Sequence, residues 1–551
     1  MNLAQDIKKF FKGEVDDSAA TLDAYSRDAS VFCVRPELVV FPKDIDDVKN
    51  LVAYASAACR NGADISLTAR SAGTDMSGGP LTESVVVEFT KYFNNFVEIG
   101  HNYAIVEPGM YYRDFEKKTL EAGLLMPSYP ASRELCTVGG MVANNSGGEK
   151  TLSYGKTERY VEELNIMLAD GNEYVFRPLS AEELAEKKLA RTFEGEIYRK
   201  MSALIEGNRQ AIAAAKPQVT KNSSGYFLWN VVDAGKQTFN LAKLIVGSQG
   251  TLGFVTKIKF SLVRPKPFSR MLVIFLKDLS PLADLTKQVL ACKPESFESY
   301  DDNTFRIAIR FFPEIIEQIK GSIFRLALSL LPEAWMVLCG GIPKLVLLAE
   351  FTADTPEDAN AQAAVAGQQL KKTFPSLKMR VTRSDEETEE FWLIRRESFN
   401  LLRHHVRGLR TAPFIDDLVV RPDLLPEFLP KLYAILGRYK LLYTIAGHVG
   451  DGNFHIIPLM DFTDPGIKDV IVTLSKEVYA LVGKYKGSIT GEHNDGLIRT
   501  PFVKEEFGEQ IYGLFEETKK IFDPDDIFNP GKKVGATLEY ALAHLDMEKK
   551  N

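Results

Sequence analysis

The first third of the chain carries short apolar runs separated by a longer stretch of helical periodicity. Residues 38–42 form an apolar run that predicts a buried strand, and residues 65–69 predict a second one. Between them, residues 44–59 repeat apolar positions at the spacing of an amphipathic helix. The pattern therefore predicts a β-α-β unit, preceded by a polar helical lead at residues 1–33.

The second half alternates strand-like and helical patterns beyond Pro265 and Pro267, a proline pair that marks a boundary. Four runs have strand character: residues 269–276, 345–351, 441–445 and 454–458. Helical periodicity occupies residues 279–291, 356–372, 386–403 and 467–484. This mixture predicts a mainly antiparallel sheet covered by helices on one face, so we expect an α+β fold.

Length and charge narrow the class of protein. At 551 residues the chain exceeds what one hydrophobic core usually supports, so two or three domains are expected. A hydrophobic fraction of 45% and a charged fraction of 26% are typical of a soluble globular protein. The formal charge of −7 argues against nucleic-acid binding, and scattered lysines such as Lys216 and Lys221 are expected on the solvated surface.

The five cysteines are sparse: Cys33, Cys59, Cys136, Cys292 and Cys339. Their spacing fits neither an iron–sulfur motif nor a redox pair, and an odd, sparse count is typical of a reducing compartment. The N-terminus lacks the apolar core of a signal peptide. We therefore expect a cytoplasmic protein, with a peripheral attachment to the inner membrane left open.

Three of the seven histidines lie in turn-rich segments beside acidic residues. Residues 451–452 (Asp-Gly) are a strong hairpin signal, and with this pair at the tip His448 faces His455 across two strands. Cross-strand partners lie about 5 Å apart at Cβ, which suits two imidazoles that share one metal ion. Further along, Glu492 and His493 supply a carboxylate and a third imidazole, and two histidines with one glutamate form the ligand set of an open, catalytic zinc site. The alternative is that each histidine is a surface or core residue bonded to backbone.

Three glycine-rich stretches lie at residues 69–79, 136–148 and 247–253. In the first, closely spaced small residues allow successive backbone N–H groups to turn inward as an anion-binding nest, a chemistry that suits a pyrophosphate. It matches neither the GxGxxG nor the P-loop motif, and taken alone it is equally consistent with an ordinary turn. Three such loops along one domain are able to enclose one extended ligand.

In this order and spacing the segments resemble the FAD-binding domain of the vanillyl-alcohol oxidase and p-cresol methylhydroxylase superfamily. The motifs are residues 70–79, 137–140 with 143–148, 154–157 with 168–171, and 247–253. The two histidine segments, with residues 522–524 and 528–532, resemble the C-terminal domain of the FAD-linked oxidases. Together they resemble the group that comprises D-lactate dehydrogenase, glycolate oxidase and D-2-hydroxyglutarate dehydrogenase.

The resemblance implies an FAD-binding domain of two subdomains at residues 34–265 and a substrate, or cap, domain with the metal site at residues 266–500. A C-terminal segment, residues 501–551, would return to the FAD domain. The cofactor-binding residues implied are Arg70, Ser71, Ala72, Gly73, Thr74, Asp75, Ser77, Gly78, Thr137, Gly139, Gly140, Asn144, Gly147, Gly250, Gly253 and Asn529. Because the first loop contains no histidine, FAD is expected to bind non-covalently.

His448, His455 and Glu492 match the family's divalent metal ligands, and His493 matches its catalytic base. This ligand set favours Zn²⁺, with Mn²⁺ or Fe²⁺ left open. On a strand, adjacent Glu492 and His493 would point in opposite directions, so only a looped backbone brings both into one site. Asn494 stands where the family usually has glycine, and asparagine is the next most tolerant residue of positive φ.

Arg395 matches the arginine that pairs with the substrate carboxylate in the family. Its neighbour Arg396 is a competitor for this role, and a salt bridge on the helix surface is the alternative for either. Phe399 stands where some relatives carry a substrate-binding threonine, and no lysine occurs near residues 414–417. These departures argue against a pocket for a second carboxylate and favour a substrate like D-lactate or glycolate.

The activity implied is FAD-dependent oxidation of a D-2-hydroxy acid to the 2-oxo acid, by metal-assisted hydride transfer to flavin N5. Without iron–sulfur cysteines, the electrons are expected to pass to a separate carrier: an electron-transfer flavoprotein, an iron–sulfur subunit or a quinone. A homodimer is left open. The alternative function is a non-redox flavin transferase resembling alkyl-dihydroxyacetonephosphate synthase, whose histidine-rich signature is partly met by His404 and His405. A metal hydrolase without flavin would leave the glycine-rich segments unused.

Overall fold

The computed structural model describes residues 3–304, 306, 341–389, 391–393, 395–396 and 408–547. Its first sheet has four strands: β1 (Glu14–Asp16), β2 (Leu38–Phe41), β3 (Leu67–Arg70) and β4 (Val85–Glu88). In the order β1-β2-β4-β3, strands β2, β4 and β3 are parallel and β1 is antiparallel to β2. Three helices accompany this sheet: Leu3–Lys8, Ala19–Ala24 and Ile45–Arg60.

The helix Ile45–Arg60 connects β2 to β3, as a β-α-β unit requires. Asp44 caps its first turn by accepting a hydrogen bond from the backbone N–H of Asp47 at 3.1 Å. The apolar face of the helix packs with β2, β3 and β4 in one hydrophobic core. The prediction of a β-α-β unit is confirmed.

A five-stranded antiparallel sheet forms the second part of the N-terminal half. The strands of this region are β5 (Phe96–Ile99), β6 (Tyr103–Val106), β7 (Val161–Met167), β8 (Glu173–Phe176), β9 (Val232–Asp233), β10 (Thr238–Phe239) and β11 (Phe254–Ser261). The sheet has the order β5-β6-β11-β7-β8, and β9 and β10 pair as a separate ribbon. Its helices are Tyr112–Glu121, Val138–Asn144, Thr151–Tyr154, Ala181–Leu189, Phe193–Gly207, Arg209–Ala215 and Ala242–Ile245, with 3₁₀ turns at Thr157–Arg159 and Leu228–Asn230. Residues of β11 alternate between buried and half-buried positions, so one face of the sheet packs into a core.

The second half of the chain builds a larger antiparallel sheet. Its strands are β12 (Phe268–Leu276), β13 (Ser296–Asp301), β14 (Leu345–Ala353), β15 (Lys378–Val381), β16 (Arg410–Thr411), β17 (Leu418–Val419), β18 (Leu442–His448) and β19 (Asn453–Met460). They follow the order β15-β12-β14-β13-β18-β19-β16, with β17 also paired to β19. The helices of this region are Leu282–Ala291, Pro356–Thr373, Leu425–Leu436 and Ile467–Lys484, with 3₁₀ turns at Pro422–Leu424 and Gly437–Tyr439. The predicted antiparallel sheet is confirmed.

Helices lie on both faces of this sheet, so the prediction that they cover one face alone is wrong, and on the second face they leave part of β18 and β19 uncovered. The four helices pack against one face, in a core that includes Ile274, Leu347 and Ile456. On the opposite face, Val273 and other apolar residues pack against a helical stretch that includes Trp392. All nine residues of β14 are buried for this reason. The predicted helix at residues 386–403 is helical where it is described, and its residues 397–403 lie outside the described part of the chain.

The C-terminal residues pair with the first sheet. The backbone N–H of Leu67 donates to the carbonyl of Ile527 at 2.7 Å, and that of Asn529 donates to the carbonyl of Leu67 at 3.0 Å. The preceding segment Gly496–Phe522 is helical on both sides of a break at Gly508. A last helix follows at Leu538–Ala543. Among the described helices, none combines the length and the apolar character needed to span a bilayer.

The hairpin of β18 and β19 differs from its prediction. Pairs run from Leu442 with Leu459 to His448 with Asn453, so the connection is the four-residue segment 449–452 and the predicted pair of His448 with His455 is wrong. Two successive turns close this loop, from Asp451 N–H to His448 O and from Gly452 N–H to Val449 O, both at 3.0 Å.

Contacts with the rest of the fold explain the longer loop. The N–H of Gly450 donates to the carbonyl of Phe297 at 3.0 Å, and the N–H of Val420 donates to the carbonyl of Gly452 at 2.9 Å. The register differs from the predicted one by two residues, an even number, so His448 and His455 still project from the same face. Their ring centroids are 5.3 Å apart.

The substitution Gly452→Ala should destabilise the protein. Gly452 has a φ of +68°, and an added Cβ would lie 1.7 Å from the carbonyl oxygen of Val420. Backbone strain and displacement of the neighbour together cost about 2–6 kcal/mol, which denaturant unfolding measures. The control Gly483→Ala lies in the helix Ile467–Lys484, where an added Cβ meets no atom within 4 Å. It should leave stability unchanged or raise it by about 0.5–1 kcal/mol, and equal losses in both variants would contradict this loop geometry.

Candidate active site

A cavity of about 650 Å³ is lined by all three glycine-rich stretches and by both histidine segments. One wall carries small residues of the N-terminal half. The facing wall is the uncovered part of the large sheet, with Thr444, Ala446 and His448 on β18 and His455 and Ile457 on β19. The cavity therefore brings together the two groups of residues that the sequence separated by hundreds of positions.

His448, His455 and Glu492 converge at one point of this cavity. Glu492 Oε1 lies 3.3 Å from His448 Nε2 and 3.4 Å from His455 Nε2. One donor atom from each of the three side chains lies within 4.8 Å of the others, so together they form a group able to hold a metal ion. Two imidazole nitrogens and one carboxylate oxygen suit an open divalent site.

A turn, and not a strand, presents Glu492 and His493 to the cavity. The backbone N–H groups of both residues donate to Asp417 Oδ2, at 2.8 and 2.7 Å. This shared acceptor folds the backbone so that adjacent side chains enter the same space, as the looped backbone inferred from the sequence requires.

Asn494 ends this turn with a φ of +72°. It therefore adopts the positive φ that the sequence comparison with glycine led us to expect. Its side-chain amide donates to the carbonyl of Gly247 at 2.9 Å and to that of Asn144 at 3.3 Å. Its oxygen accepts a hydrogen bond from Lys533 Nζ at 2.7 Å. Asn494 therefore ties the turn that carries Glu492 to the second and third glycine-rich stretches.

Two buried carboxylates that sequence reasoning missed orient the histidines. Glu298 Oε1 lies 2.6 Å from His448 Nδ1, and Asp416 Oδ1 lies 3.1 Å from His455 Nδ1. With Nδ1 engaged in this way, the Nε2 atom of each ring is left for a metal ion. No local pattern in the sequence marks either carboxylate: Glu298 lies in a strand with three other polar residues, and Asp416 is one of two adjacent aspartates.

Asp416 also contacts the third imidazole. His493 Nδ1 lies 2.7 Å from Asp416 Oδ2, and its ring stacks on that of His455 with centroids 5.0 Å apart. Burial lowers the pKa of His493, but the carboxylates of Asp416 and Asp417 outweigh it and raise the pKa. For Asp416 itself, burial raises the pKa, and the two histidines outweigh it, so the carboxyl is ionised.

The expectation that Lys221 lies on the solvated surface is wrong. Lys221 is fully buried, with Nζ 3.0 Å from Glu492 Oε2 and 3.3 Å from Asn453 Oδ1, whereas Lys216 is exposed. Burial raises the pKa of Glu492, but Lys221 and His448 outweigh it and hold the pKa well below its usual value. The segment that carries Lys221 runs beside the turn of Glu492, where the N–H of Ser223 donates to the carbonyl of Thr490 at 2.9 Å.

Arg395 and Arg396 both line the cavity but have different partners. Arg396 forms a two-point ion pair with Glu149, at 2.7 Å from Nη2 and 3.2 Å from Nε, and a third contact with Glu389 at 3.1 Å. Arg395 Nη2 lies 3.3 Å from Glu298 Oε2, the carboxylate whose other oxygen contacts His448. This geometry places Arg395, and not Arg396, beside the group formed by His448, His455 and Glu492.

Most of the residues expected to bind the cofactor line the cavity. They are Arg70, Ser71, Gly73, Thr74, Asp75, Thr137, Gly139, Gly140, Asn144, Gly147, Gly250 and Gly253. Four others do not line it: Ala72, Ser77, Gly78 and Asn529. Asn529 instead donates through its buried amide to the carbonyls of Gly79 and Gln249, at 3.0 and 2.7 Å, and so joins two of the loops.

The donor groups of this wall fit an anionic dinucleotide. Two nitrogens of Arg70, Nε and Nη1, are buried without a hydrogen-bond partner among the described residues. Unsatisfied guanidinium N–H groups are costly, and a pyrophosphate would satisfy them. An added Cβ at Gly140 would lie 3.0 Å from Ser71 Oγ, so the backbone of the second stretch closely approaches the first loop.

Residues 36–177 match the FAD binding domain, and residues 267–533 match the C-terminal domain of FAD linked oxidases. A D-2-hydroxyglutarate dehydrogenase of Pseudomonas putida is 28% identical over 537 residues, which are 95% of this chain and 50% of that protein. The GlcD subunit of glycolate oxidase from Bacillus subtilis is 24% identical, over 94% of this chain and 93% of that protein. D-lactate dehydrogenase of Archaeoglobus fulgidus is 25% identical, over 93% and 96% of the two chains. The chain spans about half the length of the first of these relatives.

Solved structures share the fold. p-Cresol methylhydroxylase with substrate bound has a TM-score of 0.67 at 15% identity, over 97% of this chain and 96% of that one. Alkyldihydroxyacetonephosphate synthase has a TM-score of 0.64 at 13% identity, over 96% of this chain and 84% of that one. At these identities the likeness concerns architecture alone, and it confirms the predicted α+β fold of an FAD domain of this type followed by an antiparallel-sheet domain.

The substitution Lys221→Met should destabilise metal-free protein, because it leaves the buried Glu492 carboxylate without its lysine partner. Breaking a buried ion pair in this way costs about 3–5 kcal/mol, measured as the free energy of unfolding in the presence of a chelator. Lys216→Met is the matched control, since Lys216 is exposed on the same segment, and it should change stability by less than about 0.5 kcal/mol. If both variants lose a similar free energy of unfolding, the ion pair of Lys221 with Glu492 does not contribute to stability.

Proposed function

Because the chain belongs to the FAD-linked oxidase family, we propose that it is an FAD-dependent dehydrogenase of D-2-hydroxy acids. The substrate would be of the D-lactate or glycolate type and the product the 2-oxo acid. The observation that carries this proposal is the convergence of three imidazoles and Glu492 on the cavity that the glycine-rich stretches line. The electrons would leave to a separate carrier: an electron-transfer flavoprotein, an iron–sulfur subunit or a quinone.

We propose that His448, His455 and Glu492 hold a divalent cation, with Zn²⁺ favoured by the ligand types and Mn²⁺ or Fe²⁺ as the other candidates. The buried partners Glu298 and Asp416 support this, since they orient both imidazoles with Nε2 toward Glu492. A cation held there would supply Lewis-acid stabilisation of the substrate alkoxide, and FAD held by the glycine-rich stretches would supply the hydride acceptor.

The residues of the chain would bind the substrate and move its proton. His493 would take the hydroxyl proton at Nε2, because its Nδ1 is held by Asp416. This step needs His493 in its neutral form. A divalent cation bound at His455 would lower the pKa of His493 by charge repulsion, because the two rings stack with centroids 5.0 Å apart. Arg395 would hold the substrate carboxylate by charge-assisted hydrogen bonds and so orient the reacting carbon.

The described part of the cavity supports a substrate with one carboxylate. Arg396 is already paired with Glu149 and Glu389. Residues 414–417 carry no cationic side chain, and Asp416, which lines the cavity there, is paired with His455 and His493, so this segment offers no partner for a second carboxylate. Phe399, the other departure seen in the sequence, lies outside the described residues. Because the relative from Pseudomonas putida is named for D-2-hydroxyglutarate, that acid belongs in any substrate series.

Anaerobic mixing separates the two flavin-based functions. A hydroxy acid should bleach the bound flavin of a dehydrogenase, whereas a non-redox transferase of the alkyl-dihydroxyacetonephosphate synthase type would leave its colour unchanged. His404 and His405, which partly meet the signature of that transferase, lie outside the described residues. A colourless purified protein would instead favour the flavin-free metal hydrolase.

The substitution His493→Gln should slow the reduction of bound flavin by D-lactate or glycolate by about 10²–10⁴-fold, because it removes the base. The flavin content should be unchanged, and stopped-flow absorbance under anaerobic conditions measures the rate. His101→Gln serves as the control, since His101 is an exposed histidine of the N-terminal half. Reduction of the flavin at the wild-type rate in His493→Gln protein would exclude His493 as the base.

Metal removal should stop flavin reduction while FAD stays bound, and re-addition of Zn²⁺, Mn²⁺ or Fe²⁺ one at a time should identify the active ion. In metal-free protein burial lowers the pKa of His455, but Asp416 and Glu492 outweigh it and raise the pKa to about 10. The ring is therefore protonated at neutral pH, so metal binding should release a proton and tighten as the pH rises toward that value. Calorimetry in two buffers of different ionisation enthalpy measures the proton. Full turnover by protein shown to be metal-free would rule out the metal site.

A further inference from the structure

Glu298 contacts two functional groups with its two carboxylate oxygens. Oε1 lies 2.6 Å from His448 Nδ1, and Oε2 lies 3.3 Å from Arg395 Nη2. The side chain is 1% exposed, so water does not compete for either oxygen. One rigid group therefore connects the proposed metal site to the arginine proposed to hold the substrate carboxylate.

The position of Glu298 is fixed by the sheet. It lies on β13, all of whose residues are buried, between β14 and β18. The register of β13 with β18 pairs Ser299 with Gly447, which places Glu298 beside His448. The separation between Glu298 and the imidazole is thus set by backbone pairing and not by a mobile loop.

Arg395 is also restrained on its own side. It lies on a helical stretch whose Trp392 donates from Nε1 to Glu350 Oε1 at 3.2 Å. The neighbouring Arg396 is held by the two-point ion pair with Glu149. Glu298 therefore faces an arginine whose neighbours along the chain, Trp392 and Arg396, are both held by buried or half-buried glutamates.

We propose that Glu298 is a positioning residue that sets the distance between the metal site and Arg395, and so selects 2-hydroxy acids over 3-hydroxy acids. In a 2-hydroxy acid the hydroxyl and the carboxylate are on adjacent carbons, whereas a 3-hydroxy acid inserts one methylene between them. A fixed separation accepts the first and misplaces the reacting carbon of the second. The inference rests on the proposed function.

The test compares Glu298→Gln with wild type in two measurements on the FAD-loaded protein. The amide keeps the size of the side chain but loses one acceptor and the charge. Zn²⁺ titration of metal-stripped protein should show affinity reduced about 10–100-fold. At saturating Zn²⁺, KM for D-lactate should rise, and the ratio of kcat/KM for D-lactate over D-3-hydroxybutyrate should fall at least about tenfold. A merely structural role would lower both rates together and leave this ratio unchanged.

Asp301→Asn is the matched control on the same strand. Asp301 is a buried carboxylate that accepts hydrogen bonds from Thr304 and belongs to the opposite face of the sheet from Glu298. It should leave the Zn²⁺ affinity and the substrate ratio at their wild-type values. If Glu298→Gln does not fold, Glu298→Asp keeps the charge, shortens the side chain by one methylene and should still lower the ratio.

The outcomes separate this inference from the proposed function. Wild-type protein that oxidises neither acid overturns the proposed function, and the Zn²⁺ titration then still decides whether Glu298 supports the metal site. Wild-type protein that oxidises D-lactate, with unchanged Zn²⁺ affinity and substrate ratio in the Glu298 variants, overturns the role of Glu298 and leaves the proposed function standing.

Discussion

The site depends on one constraint: each carboxylate that is buried away from water must be paired with a cationic or hydrogen-bonding partner. Glu298, Asp416, Asp417 and Glu492 are each at most 7% exposed, and a buried carboxylate without a partner costs several kcal/mol. Each one therefore faces an imidazole, a cationic side chain or backbone N–H groups. The placement of Lys221 under Glu492 follows from the same requirement. Carboxylates and imidazoles alternate in contact, from Glu298 through His448, Glu492, His455 and Asp416 to His493, and these contacts orient the histidine rings.

Periodicity predicted most of the fold, because burial imposes a period of two on strands and 3.6 on helices wherever one face is covered. The hairpin of β18 and β19 shows which features periodicity and turn signals predict and which they do not. Asp451 and Gly452 do form a turn, but tertiary contacts lengthened the loop, and the pair of His448 with His455 was wrong in register while correct in face. Sequence-local rules describe the turn residues and carry no information on distant backbone partners such as the carbonyl of Phe297.

The parts of the site that the sequence did not reveal are those whose role depends on a distant partner. A glutamate in a strand and a lysine in a polar stretch are ordinary surface residues in most proteins. Glu298 and Lys221 become part of the site only because His448 and Glu492 lie next to them in space. Asn494 was more accessible to prediction, since its conformational tolerance is a local property. Its hydrogen bonds to Gly247 and Asn144 were not.

The side chains proposed as metal ligands come from β18, β19 and a later turn, and their carboxylate partners come from β13 and the segment before β17. Such contacts lie far apart along the chain, and the entropy of closing those loops must be overcome before any of them forms. We therefore expect the arrangement of these side chains to form late in folding, after the large sheet has assembled. A metal ion that binds only the native site would stabilise the folded state by mass action and slow its unfolding. It would have little effect on the rate of folding, because its ligands are not yet together in the transition state.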